Sequence, residues 1–172
     1  MATSHQDRWL VLAGIAAAWL ASIVFIYFGA APFASTVFPA DSTAFEALAF
    51  ALLLGVLPLF AGIGNAARLR HFTSNIDGSA PVSGSALDVT LRFVTNTAEQ
   101  LILFSIASFG AATFAPTEAA ICLPVMGLWF VIARTAFFIG YRITPLARAF
   151  GFAATFHPII ALGGYALFSA LA

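Results

Sequence analysis

The sequence predicts an all-α membrane protein, a four-helix bundle preceded by one additional N-terminal transmembrane helix. Hydrophobic residues make up 62% of the 172 positions and charged residues only 8%, whereas a soluble domain usually carries about 25% charged residues. The apolar residues fall into five runs, each long enough to cross a bilayer core of about 30 Å. A lipid bilayer is therefore the expected surroundings of this chain.

The first apolar run, residues 9–28, is uncharged and follows Arg8. A cleaved signal peptide is one interpretation, because signal peptides also combine a positive start with an apolar core. The run is longer than an ordinary signal core, and Pro32 would lie awkwardly just after a cleavage point, so a retained helix is favoured. The prolines and polar residues of 31–44, which include Asp41, then predict a loop.

The bundle is expected in residues 45–172, and residues 1–44 are assigned to the additional helix and its loop. The four bundle helices are predicted at 45–64 with Pro58 inside, from Asp88 through the apolar run 101–115, at 119–134 with a possible extension to 141, and at 149–171. The Ser- and Gly-rich stretch 73–86 predicts an aqueous loop. The short turn 116–118 predicts that the helices on either side are antiparallel neighbours.

The arginines predict the orientation in the membrane. With alternating sides, the N-terminus and the segments 65–92 and 134–148 share one face, and this face carries all seven arginines: Arg8, Arg68, Arg70, Arg92, Arg134, Arg142 and Arg148. The positive-inside rule places that face in the cytoplasm and the C-terminus outside. We expect an integral multi-pass protein, such as one of the bacterial inner membrane. With no lysine and no net charge, no nucleic-acid partner is predicted.

A polar stripe interrupts the third apolar segment near its start. Arg92, Asn96 and Glu99 are offset by four and seven positions, which places them on one helical face. An ion pair between Arg92 and Glu99 would stabilise the helix only weakly. A ligand with a carboxylate and an ammonium group would use the stripe better, with Arg92 on the carboxylate and the other two on the amine. From the residues alone, ligand binding and structural polar contacts both remain open.

A second group of polar residues lies near the last two helices. Arg134 and Tyr141 are seven positions apart and share a face, and Pro145 places Arg148 in the first turn of the last helix. A guanidinium at a helix N-terminus favours a bound anion, and a thiolate is suitable because a nearby guanidinium lowers a thiol pKa from about 8.5. Anchoring to headgroups is the alternative for Arg148. No metal site is expected, since His157 has no second ligand at suitable spacing.

These residues form a pattern that resembles the MAPEG family, the membrane-associated proteins in eicosanoid and glutathione metabolism, which include microsomal glutathione transferases. The resemblance covers residues 45–171 and rests on Arg92-x-x-x-Asn96-x-x-Glu99, followed by Arg134, the run Phe138-Ile-Gly140-Tyr141 and Arg148. It implies a four-helix bundle assembled as a homotrimer. It also implies that glutathione, as co-substrate, is held between neighbouring subunits near the cytoplasmic side.

The resemblance implies a role for six residues. Arg92, Asn96 and Glu99 match family positions that hold the charged and amide groups of the tripeptide. Tyr141 matches a tyrosine that contacts glutathione, and Arg148 matches the arginine credited with stabilising its thiolate.

The sixth residue, Arg68, lies near a further family arginine in the first cytoplasmic loop. Two positions depart from the family pattern, because Gln100 and Phe137 stand where relatives have ligand-contacting tyrosines.

The function implied is that of a membrane glutathione-binding protein, a transferase or peroxidase acting on lipophilic electrophiles. A non-catalytic family member that binds lipid or acts as a scaffold is the alternative. A small transporter would carry polar residues at the membrane midplane. A transporter is the least favoured of the three functions, because the polar residues of this sequence cluster at one face of the membrane.

Overall fold

Five long helices build the chain in the computed structural model, which describes residues 5–37, 39, 42–144 and 146–172. The helices are α1 (His5–Val37), α2 (Ala44–His71), α3 (Ala86–Phe114), α4 (Pro116–Ile143) and α5 (Arg148–Leu171), with a short 3₁₀ turn at Ser74–Asp77. The described ranges contain no strand. Each of the five helices includes a segment long and apolar enough to cross a membrane. The expected all-α membrane fold with an additional N-terminal helix is confirmed.

Local sequence signals set the starts of α2 and α3. Before α2, the hydroxyl of Thr43 accepts a hydrogen bond from the Glu46 backbone N–H at 3.2 Å, and the Glu46 carboxylate accepts one from the Thr43 N–H at 2.8 Å. This reciprocal arrangement satisfies two N–H groups that have no partner within the helix. Before α3, Ser85 accepts a hydrogen bond from the Asp88 N–H at 3.2 Å. The polar loop expected between these helices therefore ends at a capped helix start.

Several predicted boundaries were wrong. Helix α2 extends seven residues beyond its predicted end, to His71, so Arg68 lies in its last turn and not in a loop. The loop predicted at 31–44 begins later, because α1 continues through Pro32 to Val37, and membrane helices tolerate an internal proline. Asp41, part of that predicted loop, lies outside the described residues. The predicted turn 116–118 is the first turn of α4, since Pro116 starts that helix and needs no N–H donor there. The fourth helix also extends beyond both predicted ends, to Ile143.

The bundle helices approach one another closely at small residues. A Cβ atom on Gly127 of α4 would lie 2.7 Å from the Ala51 Cα of α2. Phe104 of α3 stacks on Phe130 of α4, with 5.2 Å between ring centroids. Close backbone contact of this kind is how membrane helices gain packing energy without a hydrophobic driving force between them.

Helix α1 packs against α4 and α5 and runs parallel to α5. Trp19 stacks on His157 at 4.8 Å between ring centroids, and the Ser22 hydroxyl lies 3.5 Å from the Ala154 carbonyl oxygen. The Ala154 carbonyl lacks its usual helical donor because Pro158 has no N–H. Trp129 of α4 supplies the replacement, with a hydrogen bond of 2.7 Å from its indole N–H. The Ala154 carbonyl of α5 is therefore contacted by side chains from both α1 and α4.

The alternating directions of the helices gather most arginines at one end of the bundle. One cavity at this end is lined by Arg68 from α2 and Arg142 from α4, and another is lined by Arg8 from α1 together with Leu146. The starts of α1, α3 and α5 and the ends of α2 and α4 thus lie together, which positions the candidate site.

Candidate functional site

A cavity of about 540 Å³ lies between α1, α3, α4 and α5 and is called the main cavity below. Arg92 and Asn96 from α3 and Arg148 from α5 line it. None of the described lining residues is acidic. The remaining lining is mostly apolar, with Val11, Ile15, Phe137, Leu146, Ala149, Phe152, Ala153, Phe156 and His157. The main cavity therefore combines a cationic, amide-bearing part with an apolar part.

Arg134 links α3 and α5, two of the helices that form the wall of the main cavity, from inside the bundle. Its side chain is fully buried and its guanidinium lies over the Phe137 ring, 4.5 Å from the centroid. It donates hydrogen bonds to Asn96 Oδ1 at 2.8 Å, to Thr155 Oγ1 at 3.0 Å and to the Gly151 carbonyl oxygen at 2.9 Å. All three acceptors are neutral oxygens, and they belong to α3 and α5.

The predicted position of Arg134 in a cytoplasmic loop was wrong. Helix α4 continues for nine residues beyond Arg134, which carries the side chain about 13 Å below the helix end. Its spacing of seven from Tyr141 was the one signal that it belongs to a helical face. Nothing in the sequence alone indicated that this face is buried.

Arg92 pairs with Asp88, and the ion pair weighed between Arg92 and Glu99 does not form. The Arg92 Nε atom donates to Asp88 Oδ1 at 3.0 Å. Asp88 lies one helical turn away and Glu99 two turns, so the nearer carboxylate is favoured by geometry. Glu99 lies outside the lining of the main cavity, and its carboxylate accepts a hydrogen bond of 3.4 Å from the Asn96 amide.

Arg148 is the first residue of α5, so it lies in the first turn of this helix, as the sequence predicted. Its guanidinium lies over the ring of Tyr141, 4.9 Å from the centroid. Tyr141 in turn stacks on Phe137, with 5.8 Å between centroids and an angle of 8° between the ring planes. Pro145, which was expected to precede this helix start, lies outside the described residues. The stacked rings place Arg148 beside the apolar wall of the main cavity.

A second cavity, of about 370 Å³, contains the other two predicted site residues. Arg68 and Tyr141 line it between α2, α3 and α4. Arg68 donates to Asn65 Oδ1 at 3.0 Å, and the Asn65 amide donates to the Thr90 hydroxyl at 3.0 Å. Within one chain, the six predicted residues are thus divided: three line the main cavity, two line the second cavity, and Glu99 lines neither.

The two positions that depart from the family pattern have different surroundings. Phe137 lines the main cavity and carries the Arg134 guanidinium on its face. Gln100 is buried, does not line the main cavity, and its Oε1 atom has no hydrogen-bond partner among the described residues. Only the phenylalanine therefore affects the shape of the site directly.

Five membrane-spanning helices and an arginine-centred polar network define an integral, multi-pass membrane protein. A sequence model of the MAPEG family matches residues 45–168, and the chain therefore belongs to the MAPEG family, proteins of eicosanoid and glutathione metabolism. The match extends from the first turn of α2 almost to the end of α5, and α1 lies outside it. Comparisons with curated proteins and with solved structures found no match.

Proposed function

We propose that this protein binds glutathione in the main cavity and acts as a glutathione transferase or peroxidase on lipophilic electrophiles. One observation carries the proposal: Arg92, Asn96 and Arg148, which come from two helices, line one cavity without an acidic neighbour in its described lining. Its volume of about 540 Å³ lies in the usual range for small-molecule sites. Membership of the MAPEG family supports the same ligand class.

The α3 residues suit the charged groups of the tripeptide. Asp88 uses the Nε donor of Arg92, and Tyr141 is a further side-chain neighbour of the guanidinium. The terminal guanidinium nitrogens carry four N–H donors, enough to bind a ligand carboxylate as well. The Asn96 oxygen accepts from Arg134 and its amide N–H group faces Glu99. The Glu99 carboxylate, held by the Asn96 N–H group, is a suitable acceptor for the glutathione ammonium group at the edge of the cavity.

Arg148 is the residue assigned to thiol activation. A guanidinium beside a thiol lowers the thiol pKa, so more of it is thiolate at neutral pH, and the N-terminus of α5 adds positive potential at the same place. The sulfur then forms a bond to the electrophilic carbon, and the leaving group departs with its bonding electron pair. No covalent enzyme intermediate is required, because proximity and the lowered pKa supply the acceleration.

The test is ultraviolet absorbance of the glutathione thiolate with purified protein. We expect a thiolate signal at saturating glutathione that Arg148→Ala abolishes and Arg148→Lys partly keeps. Arg8→Ala is the matched control, because Arg8 is exposed at the same end of the bundle and lines neither the main nor the second cavity. The absence of a thiolate signal in wild type, or wild-type turnover in Arg148→Ala, would contradict the proposed activity.

A non-catalytic, lipid-binding or scaffold role is the second candidate. It is favoured by the division of the six residues, since Arg68 and Tyr141 line a separate cavity within one chain. Glutathione binding without turnover on any electrophile would support this role and exclude the transferase.

Assembly as a homotrimer and a cytoplasmic N-terminus belong to the same proposal. A subunit boundary would give Arg68, which lines only the second cavity within one chain, access to the main cavity of a neighbour. Native mass spectrometry in mild detergent tests the trimer, and a monomer alone would contradict it.

Reporter fusions at each terminus test the orientation in the membrane, and a cytoplasmic C-terminus would contradict the proposed orientation.

A further inference from the structure

We propose that α1 forms one wall of an alkyl-chain site in the main cavity, and that the Trp19–His157 stack sets the longest chain admitted. The inference rests on the proposed function for the place of the polar head, beside Arg92 and Arg148. Helix α1 lies outside the residues matched by the family model, so this wall is a feature of the chain itself.

The apolar wall has two sides that belong to different helices. Val11 and Ile15 come from α1, and Phe152 and Phe156 come from α5. Among the described residues, α1 packs only against α4 and α5. Filling the α1 side therefore changes the apolar part of the cavity without contact to α3, which carries Arg92 and Asn96.

The length of the apolar part follows from positions along α5. Arg148 is the first residue of this helix and His157 lies nine residues later, which corresponds to about 13 Å of helix. The cavity lining includes both residues. An amphipathic anion with its head at Arg148 therefore has about this length of apolar wall for its chain.

The stacked rings close the far end. His157 lines the main cavity, whereas Trp19 lines a separate apolar cavity of about 370 Å³ together with Ile23, Tyr27 and Pro158. The two rings stack at 4.8 Å between centroids, so the pair stands between the two cavities. Removal of the Trp19 ring is expected to join them.

Charge and polarity favour an alkyl chain as the occupant. Apolar cavities hold water poorly, and a methylene that leaves water for such a wall strengthens binding. The described lining of the cavity contains two arginines and no acidic residue, because Asp88, which pairs with Arg92, lies outside it. This lining favours an anionic head. An S-alkylated glutathione, the product of conjugation, combines the two features, and so does a straight-chain carboxylate.

The experiment measures binding of two probe series to the full-length protein in lipid nanodiscs, with empty nanodiscs as background. One series is S-methyl-, S-hexyl- and S-decylglutathione, and the other is hexanoate, decanoate and hexadecanoate. In wild type, affinity should rise with chain length and then stop rising. Trp19→Ala should move this limit to longer chains and strengthen the longest probe about tenfold or more, whereas Trp19→Phe should keep the wild-type limit.

Ile15→Phe is the second variant and acts in the opposite direction. It fills the cavity, so the limit should move to shorter chains even if Trp19→Ala fails to fold. Leu20→Ala is the matched control, because this neighbour of Trp19 is 66% exposed and lines none of these cavities. Its length dependence should equal that of wild type.

The two probe series separate the two proposals. If carboxylates show the shifted limit but no S-alkylglutathione binds, the glutathione function fails and the α1 site stands. If S-methylglutathione binds and neither Trp19→Ala nor Ile15→Phe changes the length dependence, the α1 site is overturned and the glutathione function stands. A wild type without any length dependence in either series overturns the α1 site as well.

Discussion

The Arg134 guanidinium donates a hydrogen bond of 2.8 Å to the amide oxygen of Asn96. Because this bond occupies the oxygen, the Asn96 N–H group turns toward Glu99, 3.4 Å away. Arg134 does not line the main cavity. It acts as a positioning residue, since it fixes which side of the amide a ligand meets.

This relationship predicts opposite effects on stability and binding for Asn96→Asp. A carboxylate at position 96 would give Arg134 a charge-assisted partner in place of a neutral one, so the melting temperature should stay equal or rise. The same change removes the N–H group that holds Glu99 and places a negative charge one helical turn from Arg92, where it competes with the ligand carboxylate. Glutathione affinity, measured by isothermal titration calorimetry, should fall about tenfold or more, which corresponds to about 1.4 kcal/mol.

Asn96→Leu provides the comparison for that prediction. Leucine leaves the Arg134 donor without this acceptor, and an unsatisfied buried polar group costs about 1–3 kcal/mol. Both stability and binding should therefore decrease. Wild-type glutathione affinity in Asn96→Asp would show that the amide does not contact the ligand.

The Arg92–Asp88 ion pair predicts a gain of binding in Asp88→Asn. Asparagine can keep the hydrogen bond that Asp88 accepts from the Gly84 N–H at 2.8 Å while it removes the charge that competes for Arg92. Affinity for glutathione should rise a few-fold at low salt, with the gain shrinking as salt screens the exposed charges. Titrations at two ionic strengths measure this, and an unchanged affinity at low salt would exclude Arg92 as a carboxylate partner.

The five spans could be predicted because each follows from composition and length alone. The ends of the helices were harder to predict. Proline usually indicates a loop in a soluble protein, but it is tolerated inside a membrane helix such as α1. The neighbours of α1 could not be predicted at all. Its apolar surface carries no pattern that specifies α5 and α4 over another helix.

Residue spacing predicted the site only where its residues share one helix, and Arg148 of α5 was added by the family resemblance. Arg92 and Asn96 were placed together by their spacing, and both line the main cavity. The buried guanidinium of Arg134 donates hydrogen bonds to Asn96 and Gly151, which are 38 and 17 positions away along the chain. Contacts between helices of this kind are set by tertiary packing, which no local pattern contains.

The close approach of α2 and α4 predicts that Gly127→Ala is destabilising. A Cβ atom at this position would lie 2.7 Å from Ala51 Cα and 2.9 Å from the Ala51 carbonyl oxygen, both of which are backbone atoms. Overpacking that moves backbone costs about 1–3 kcal/mol. Reversible unfolding in mixed micelles measures the change.

Gly64→Ala is the control for this prediction. Apart from the adjacent residues and backbone of its own helix, no described atom lies within 4 Å of a Cβ added at Gly64. Alanine should therefore be neutral or slightly stabilising through its higher helix propensity. Equal effects of the two substitutions would mean that the α2–α4 contact is looser than the structure shows.

The last prediction concerns the Ala154 carbonyl, which Pro158 leaves without a helical donor. The Trp129 indole N–H donates to it at 2.7 Å. The Ser22 hydroxyl is farther away, at 3.5 Å, and it also bonds to the Ala18 carbonyl at 2.7 Å. Trp129→Phe should therefore leave the carbonyl poorly satisfied and cost about 1–3 kcal/mol from this loss.

A double-mutant cycle separates the hydrogen bond from the loss of packing around the indole. Pro158→Ala restores a backbone N–H that can donate to the Ala154 carbonyl, so the carbonyl no longer depends on Trp129. The cost of Trp129→Phe in unfolding free energy should then be smaller by at least about 0.5 kcal/mol, the lower end for coupled neighbours. The packing loss is similar in both backgrounds and largely cancels. Additive effects of the two substitutions would show that the indole N–H contributes nothing through this carbonyl.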